Sequence, residues 1–173
     1  MVKIEIENLL SESECSKFIS LGESIGFSKP KVKTPRGEMI QEHIRNNGSA
    51  LLDDVNLCNE LFDKFKDKLP ANIDGWKLKG LNGQMKVYKY EVGQRFKMHK
   101  DVSFVSDENE RSLLTMLIYL NEDYRGGETF FLNGAVTPET GKCLVFQQNV
   151  MHAGLAVKHG VKYAIRTDVM YER

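Results

Sequence analysis

From about Gly80 to the end of the chain, turn residues cut the sequence into short apolar runs, and this punctuation limits the folds open to it. Met85–Tyr90 leads to Gly93, and Phe96–Val102 follows. Leu113–Leu120 is mostly apolar. Thr129–Leu132 comes after Gly126-Gly127, Lys142–Phe146 after Gly141, then Val150–Leu155 and the longest run, Lys162–Tyr171. Many short strands split by such turns predict an all-β sandwich or barrel. A jelly roll would set facing strands of two sheets around a mouth.

The first part of the chain has a different pattern. After a short strand at Val2–Ile6, Ser11-Glu12-Ser13-Glu14 has capping-box spacing. Cys15, Phe18, Ile19 and Ile25 then recur at helical spacing, and Gly26 can end the helix. A second helix is expected from Asp54 to Leu69, with Leu57, Leu61, Phe62 and Phe65 as its apolar stripe and Pro70 as its stop. Between them Ser28–Asn47 is polar and carries Pro30, Pro35 and Gly37, as a surface loop or a mobile lid would. The expectation is an α+β, mainly β chain forming a single domain over 1–173. Residues 1–79 supply helical support and the lid loop, and 80–173 form the jelly-roll core.

One domain is also what 173 residues predict. Lys+Arg and Asp+Glu both number 24, so the formal net charge is zero. That argues against general attraction to nucleic acid or to an anionic membrane. No stretch approaches the ~20 apolar residues of a membrane span, and Met1–Glu7 lacks the apolar centre of a secretory signal. Cys15, Cys58 and Cys143 are odd in number and far apart, which reads as free thiols in a reducing cytoplasm.

The chemistry-bearing feature is His99-Lys100-Asp101 with His152. Residues i and i+2 of a strand share a face, so His99 and Asp101 can bind one ion while Lys100 points away. His152 would reach them through folding. Two imidazoles and a carboxylate bind Fe(II) on one face and leave the other open to O2 and a bidentate 2-oxo acid. Zinc accepts the same ligand types, and H-x-D alone is a weak signal. His43 and His159 read as ordinary loop and turn residues.

A 2-oxoglutarate cosubstrate would need a cation for its far carboxylate. Lys162, Ala164, Arg166 and Asp168 share one face of the last strand, and Tyr163, Ile165 and Thr167 the other. If the first face points inward, two buried cations imply an anion there. If it points outward, it is solvated charge. Tyr119 could donate to the distal carboxylate, and Tyr90 could reach the metal-bound end.

The order of these motifs resembles the prolyl 4-hydroxylase-like 2-oxoglutarate/Fe(II) dioxygenases. Tyr90-x-x-Gly93-Gln94-x-Phe96-x-x-His99-x-Asp101 is similar to their metal-binding strand. Thr115–Asn121, Gly126-Gly127-Glu128-Thr129-x-Phe131, His152-x-Gly154 and Gly160-x-Lys162-Tyr163 follow in the family's order. The resemblance spans about Tyr88 to Tyr171. It implies a double-stranded β-helix, iron ligands His99, Asp101 and His152, and Lys162 with Tyr119 on the distal carboxylate of 2-oxoglutarate. It also implies Tyr90 near the metal-bound end. The implied cofactors are Fe(II), 2-oxoglutarate and O2, with ascorbate an optional reductant.

The chain departs from that pattern in two places. Phe96 stands where many members have tyrosine, and Asp168 where they often have tryptophan. Both mark the substrate side, where Arg36, Arg45 and Asn47 are further candidates from the loop. Arg166 looks like a feature of a less studied microbial branch, sharing or taking over the carboxylate contact. The expected activity is hydroxylation of a peptidyl proline or similar side chain, with release of succinate and CO2. The alternatives are a hydroxylase of a free amino acid or small metabolite, a non-catalytic jelly-roll module that binds a small acid or peptide, and a metal-dependent hydrolase or isomerase of the cupin type. Partners are then a peptide, protein or small-molecule substrate, with no nucleic acid or membrane.

Overall fold

The computed structural model describes residues 2–34 and 37–173. Arg36, a candidate substrate contact, lies outside the described residues. In chain order the elements begin with β1 (Lys3–Ile6), α1 (Glu12–Ile25), β2 (Val32–Thr34), β3 (Gly37–Met39), β4 (Gly48–Asp53) and α2 (Val55–Asp63). Then come β5 (Asn72–Ile73), β6 (Trp76–Leu81), β7 (Gln84–Tyr90), β8 (Phe96–His99), β9 (Val105–Asp107) and β10 (Glu110–Tyr119). The chain closes with β11 (Arg125–Gly126), β12 (Thr129–Phe131), β13 (Gly134–Val136), β14 (Cys143–Gln147), β15 (His152–Gly154), β16 (Val157–His159) and β17 (Lys162–Glu172).

Among the described residues, nine antiparallel strands form a major sheet around the central order β1-β14-β10-β17. The long β17 pairs with β7 along its first half and with β6 along its second. A smaller sheet, β13-β12-β15-β8, faces it. The result is the double-stranded β-helix, a jelly roll.

The major sheet is buried on both faces, and its sequence alternates accordingly. Leu114, Met116 and Ile118 of β10, Met85 and Val87 of β7, and Ile165 and Val169 of β17 pack in one core with Phe18 of α1 and Leu61 of α2. The opposite face carries Tyr119, Leu144 and Phe146, which pack on Phe131 and Val136 of the minor sheet. Phe131 meets Phe146 edge-on across the sheets, with ring centroids 5.2 Å apart.

Helix α1 starts as its sequence predicts. The Ser11 hydroxyl accepts from the Glu14 N–H, and the Glu14 carboxylate accepts from the Ser11 N–H. The second helix is shorter than expected. Asp54 caps α2, which ends at Asp63, and only a 3-10 turn at Lys66–Lys68 follows. The break lets Phe65 turn into the core, where it packs edge-on against Phe62.

The first part of the chain is also less helical than expected: besides the expected β1, strands β4, β5 and β6 join the major sheet. Residues 28–47 are not simply a loop. They hold the β2–β3 hairpin, and Ile44–Asn46 then run antiparallel along β8. The Lys97 N–H donates to the Ile44 carbonyl at 2.9 Å, and the Arg95 N–H to Asn46 Oδ1 at 2.8 Å. This docking covers the open edge of the minor sheet. Among the described residues, no helix is long and apolar enough to cross a membrane.

Candidate active site

Between the two sheets lies a cavity of about 640 Å³, into which the inner faces of β7, β10 and β17 project. Sheet register assembles its metal-binding end. His99 on β8 and His152 on β15 are direct cross-strand partners, and their rings lie 4.2 Å apart. Strand β8 ends at His99, two residues short of Asp101 and earlier than the expected Phe96–Val102. Asp101 nevertheless stays beside the histidine because its N–H donates to the Gln148 carbonyl at 2.9 Å. Asp101 Oδ1 is 3.3 Å from His99 Nε2, and Oδ2 is 3.9 Å from His152 Nε2. One ligand atom from each of the three residues falls within 4.8 Å of the others.

The hydrogen bonds of the histidines fix their tautomers. His99 Nδ1 lies 2.7 Å from the Lys97 carbonyl and His152 Nδ1 3.0 Å from the Val150 carbonyl. A carbonyl can only accept, so each Nδ1 carries the proton and each Nε2 presents a lone pair to the centre. Burial holds the His152 pKa below its ordinary value, which keeps the ring neutral and ligand-ready. Burial would push the Asp101 carboxyl up. The charge of Arg166, with a hydrogen bond from Thr115, outweighs it and holds the group well below the usual carboxylate range. Two imidazoles and one fixed carboxylate, with no thiolate, fit Fe(II).

At the other end of β17, Lys162 is 3% exposed. Its Nζ donates to the Gly127 carbonyl at 2.5 Å and sits 5.1 and 5.4 Å from the ring centroids of Tyr90 and Tyr119. Burial pushes its pKa down to about 8, only partly offset by the distant charge of Glu128. A buried ammonium with a single carbonyl acceptor fits a carboxylate ligand. Tyr119 directs its hydroxyl to Thr129 Oγ1 at 2.7 Å, so Thr129, on the cavity wall, stands between that phenol and the cavity. Tyr90 lines the cavity directly, with its pKa raised by burial to about 12, and so stays a phenol donor.

The inward reading of the last strand is the one observed: Lys162, Ala164, Arg166 and Asp168 all line the cavity. Arg166, however, is engaged elsewhere than with Lys162. Its Nη2 lies 3.3 Å from Asp101 Oδ2, and its Nη1 lies 3.0 Å from Asp168 Oδ1. Asp168 also accepts from Gln148 Nε2 at 2.7 Å. Phe96 lies against His99. Arg45 is buried between Phe96 and Tyr88, with its Nε donating to Asn47 Oδ1 at 2.7 Å and its Nη2 without a partner among the described residues. Arg45 lines the cavity, whereas Asn47 stands behind it as a support. Thr115 and Thr129 stand in the motifs quoted from the sequence but receive no role there, and Gln148 is not named at all.

A family model, described as the 2OG-Fe(II) oxygenase superfamily, matches residues 85–167. A relative from Acanthamoeba polyphaga mimivirus, described as a putative prolyl 4-hydroxylase, is 31% identical over 180 residues, covering 91% of this chain and 69% of its own length. The chain belongs to the prolyl 4-hydroxylase-like 2OG-Fe(II) oxygenases. A plant relative, probable prolyl 4-hydroxylase 8 of Arabidopsis thaliana, is 29% identical over 135 residues. That match takes in 72% of this chain but only 42% of the plant protein, so the chain spans well under half its length. Among solved structures, the viral collagen prolyl hydroxylase of Paramecium bursaria Chlorella virus-1, in complex with 2OG, superposes with a TM-score of 0.70 at 22% identity. It covers 100% of this chain and 97% of that one, a likeness of fold. The residues at the two ends of the cavity fit Fe(II) and 2-oxoglutarate, His99, Asp101 and His152 at one end and Lys162 at the other.

Proposed function

We propose that this protein is an Fe(II)- and 2-oxoglutarate-dependent hydroxylase acting on a peptidyl proline or a similar side chain. The observation that carries the reading is Lys162: a buried cation with no carboxylate partner among the described residues, opening on the same cavity as His99, Asp101 and His152. A 2-oxo dicarboxylic acid has one chelating end and one end for such a cation. When bound, Fe(II) and 2-oxoglutarate supply the oxidising power, one atom of O2 leaving in succinate and the other in the hydroxylated product as CO2 is released.

The chain's own residues hold and orient. His99, Asp101 and His152 hold the metal. Lys162 pairs with the distal carboxylate, and Thr129, oriented by Tyr119, offers that carboxylate its hydroxyl. Tyr90 donates near the chelating end. Phe96 shields His99 from water on the side where substrate enters. Arg45, braced by Asn47, offers its cation on the cavity wall to a substrate carbonyl or carboxylate; Arg36 is a further candidate on the same segment. Asp168 also lines the cavity, where it is paired with Arg166. The Arg45 cation favours a second reading, in which the substrate is a free amino acid or small acid.

The test is succinate formation by the purified protein with Fe(II), 2-oxoglutarate and ascorbate. Proline-containing peptides, free amino acids and small acids would be offered in turn, and products examined for a gain of one oxygen by mass spectrometry. Oxygen gain on a peptide supports the first reading, and on a free amino acid the second. Metal-independent turnover, or none across the panel, would sink both.

A further inference from the structure

Asp101 has two carboxylate oxygens, and the fold treats them differently. Oδ2 accepts the Thr115 hydroxyl at 2.5 Å and lies 3.3 Å from Arg166 Nη2. Oδ1 faces His99 Nε2 at 3.3 Å, and Oδ2 also lies 3.9 Å from His152 Nε2. We infer that Arg166 is a positioning residue, holding the Asp101 carboxylate with Thr115 so that it stays turned toward both histidines, and that it is not an anchor for the cosubstrate. The inference rests on the functional reading above.

Three observations support it. First, both amino groups of the Arg166 fork face carboxylates of the protein, Asp101 on one side and Asp168 on the other. A guanidinium between two carboxylates has little left for a third. Second, the Arg166 brace is itself fixed: Asp168 is tied to Gln148, whose amide oxygen accepts from Ser103 and Ser112 and whose backbone carbonyl holds the Asp101 N–H. One glutamine therefore sets both the backbone of Asp101 and the partner of Arg166. Third, Lys162 and Arg166 are four residues apart on an extended strand, which separates their Cα atoms by roughly 13 Å at 3.3 Å per residue. Two cations so spaced serve opposite ends of the cavity.

The test uses two ligands on the Mn(II)-loaded full chain: 2-oxoglutarate, and pyruvate, which keeps the chelating end but has no distal carboxylate. Titration calorimetry should show Arg166→Gln weakening both ligands by the same factor, about tenfold, as loss of an outer partner of a metal ligand does. Lys162→Met should weaken 2-oxoglutarate alone. The visible bands of the Co(II)-loaded protein should shift in Arg166→Gln and stay put in Lys162→Met. Thr115→Val, nearly isosteric, should repeat the Arg166→Gln pattern more weakly and serves if Arg166→Gln does not fold. Loss of 2-oxoglutarate binding with pyruvate unchanged would make Arg166 an anchor and overturn the inference, as would no change in either ligand. A wild-type protein that takes up no Mn(II) overturns the functional reading itself.

Discussion

Phe96 lies flat on His99, with ring centroids 3.4 Å apart and planes 14° from parallel. Arg45 sits on the far side of the same phenyl ring, its guanidinium carbon 4.5 Å from the centroid. Arginine, phenylalanine and imidazole thus form a stack that leads from the substrate side of the cavity to the metal end. The ring fixes the imidazole plane and keeps water off it. Phe96→Ala should lower Mn(II) affinity about tenfold, within the range seen when support of a metal ligand is lost. Phe96→Tyr should bind Mn(II) as the wild type does. Titration of metal into the chelator-treated protein checks both, and equal affinity in Phe96→Ala would deny the ring any supporting role.

Lys162 sets stability against binding. Displacement of its pKa from 10.5 to about 8 is equivalent to roughly 3 kcal/mol at 1.36 kcal/mol per unit, a cost of keeping the charge buried at neutral pH. Losing its hydrogen bond to Gly127 offsets about 1 kcal/mol of any gain. Lys162→Met should therefore raise the melting temperature at pH 7 by a few degrees, at 2–4 °C per kcal/mol. In the same variant, 2-oxoglutarate affinity should fall at least a hundredfold. A melting temperature that drops would show that the amine stabilises the ligand-free fold.

The same amine gives cosubstrate binding a pH dependence. In the ligand-free protein Lys162 loses its proton near pH 8. Paired with a carboxylate it would hold the proton to higher pH, so binding above pH 8 must take one up. Affinity for 2-oxoglutarate should be flat with respect to this group below pH 8 and fall up to tenfold per unit above it. The ligand-free fold moves the opposite way: from pH 8 to about 10.5 the unfolded chain binds more protons at this lysine, so stability rises. Pyruvate, with no distal carboxylate, should not show the loss of affinity. Calorimetry from pH 6.5 to 9.5 with both acids separates the two.

Gly126 tests the wall behind Lys162. Its φ is +74°, and a Cβ there would stand 2.4 Å from the Ala156 carbonyl oxygen, a backbone atom with little room to yield. Gly126→Ala should cost about 2–3 kcal/mol in urea unfolding from backbone strain and steric overlap. It should also weaken 2-oxoglutarate binding, because the next residue supplies the carbonyl that receives Lys162. Unchanged stability would mean that the turn relaxes freely.

Much of this site could be read from residue order, and the rest shows what one-dimensional patterns leave out. The period of two along β17 correctly grouped Lys162, Ala164, Arg166 and Asp168, but it could not choose a side, because an inward charged face and a solvated one look alike in sequence. His99 and His152 could be named as ligands, yet the fact that they are cross-strand partners is a matter of register between distant strands. Strand β4 was missed because its six residues fall between a polar loop and a helix cap, and Ala50 and Leu52 are its only buried side chains. Gln148 was invisible for a different reason. Its two roles depend on where the loop after β14 crosses the end of β8, and no local spacing encodes that path.

The three ligands also stand on different halves of the roll. His99 and His152 belong to the minor sheet, while Asp101 is held by Thr115 and Arg166 of the major one. A divalent ion among them is a rivet through both layers at the open end of the molecule. Binding only to the closed arrangement, it adds about 2.7 kcal/mol to stability at a hundred times its dissociation constant. A chelator should then loosen the mouth of the roll before the helix-backed sheet behind it. Amide exchange at β8 and β15 would quicken first, while β10 and β17 stay protected. The metal end is thus a fastener of the fold as well as a place for chemistry.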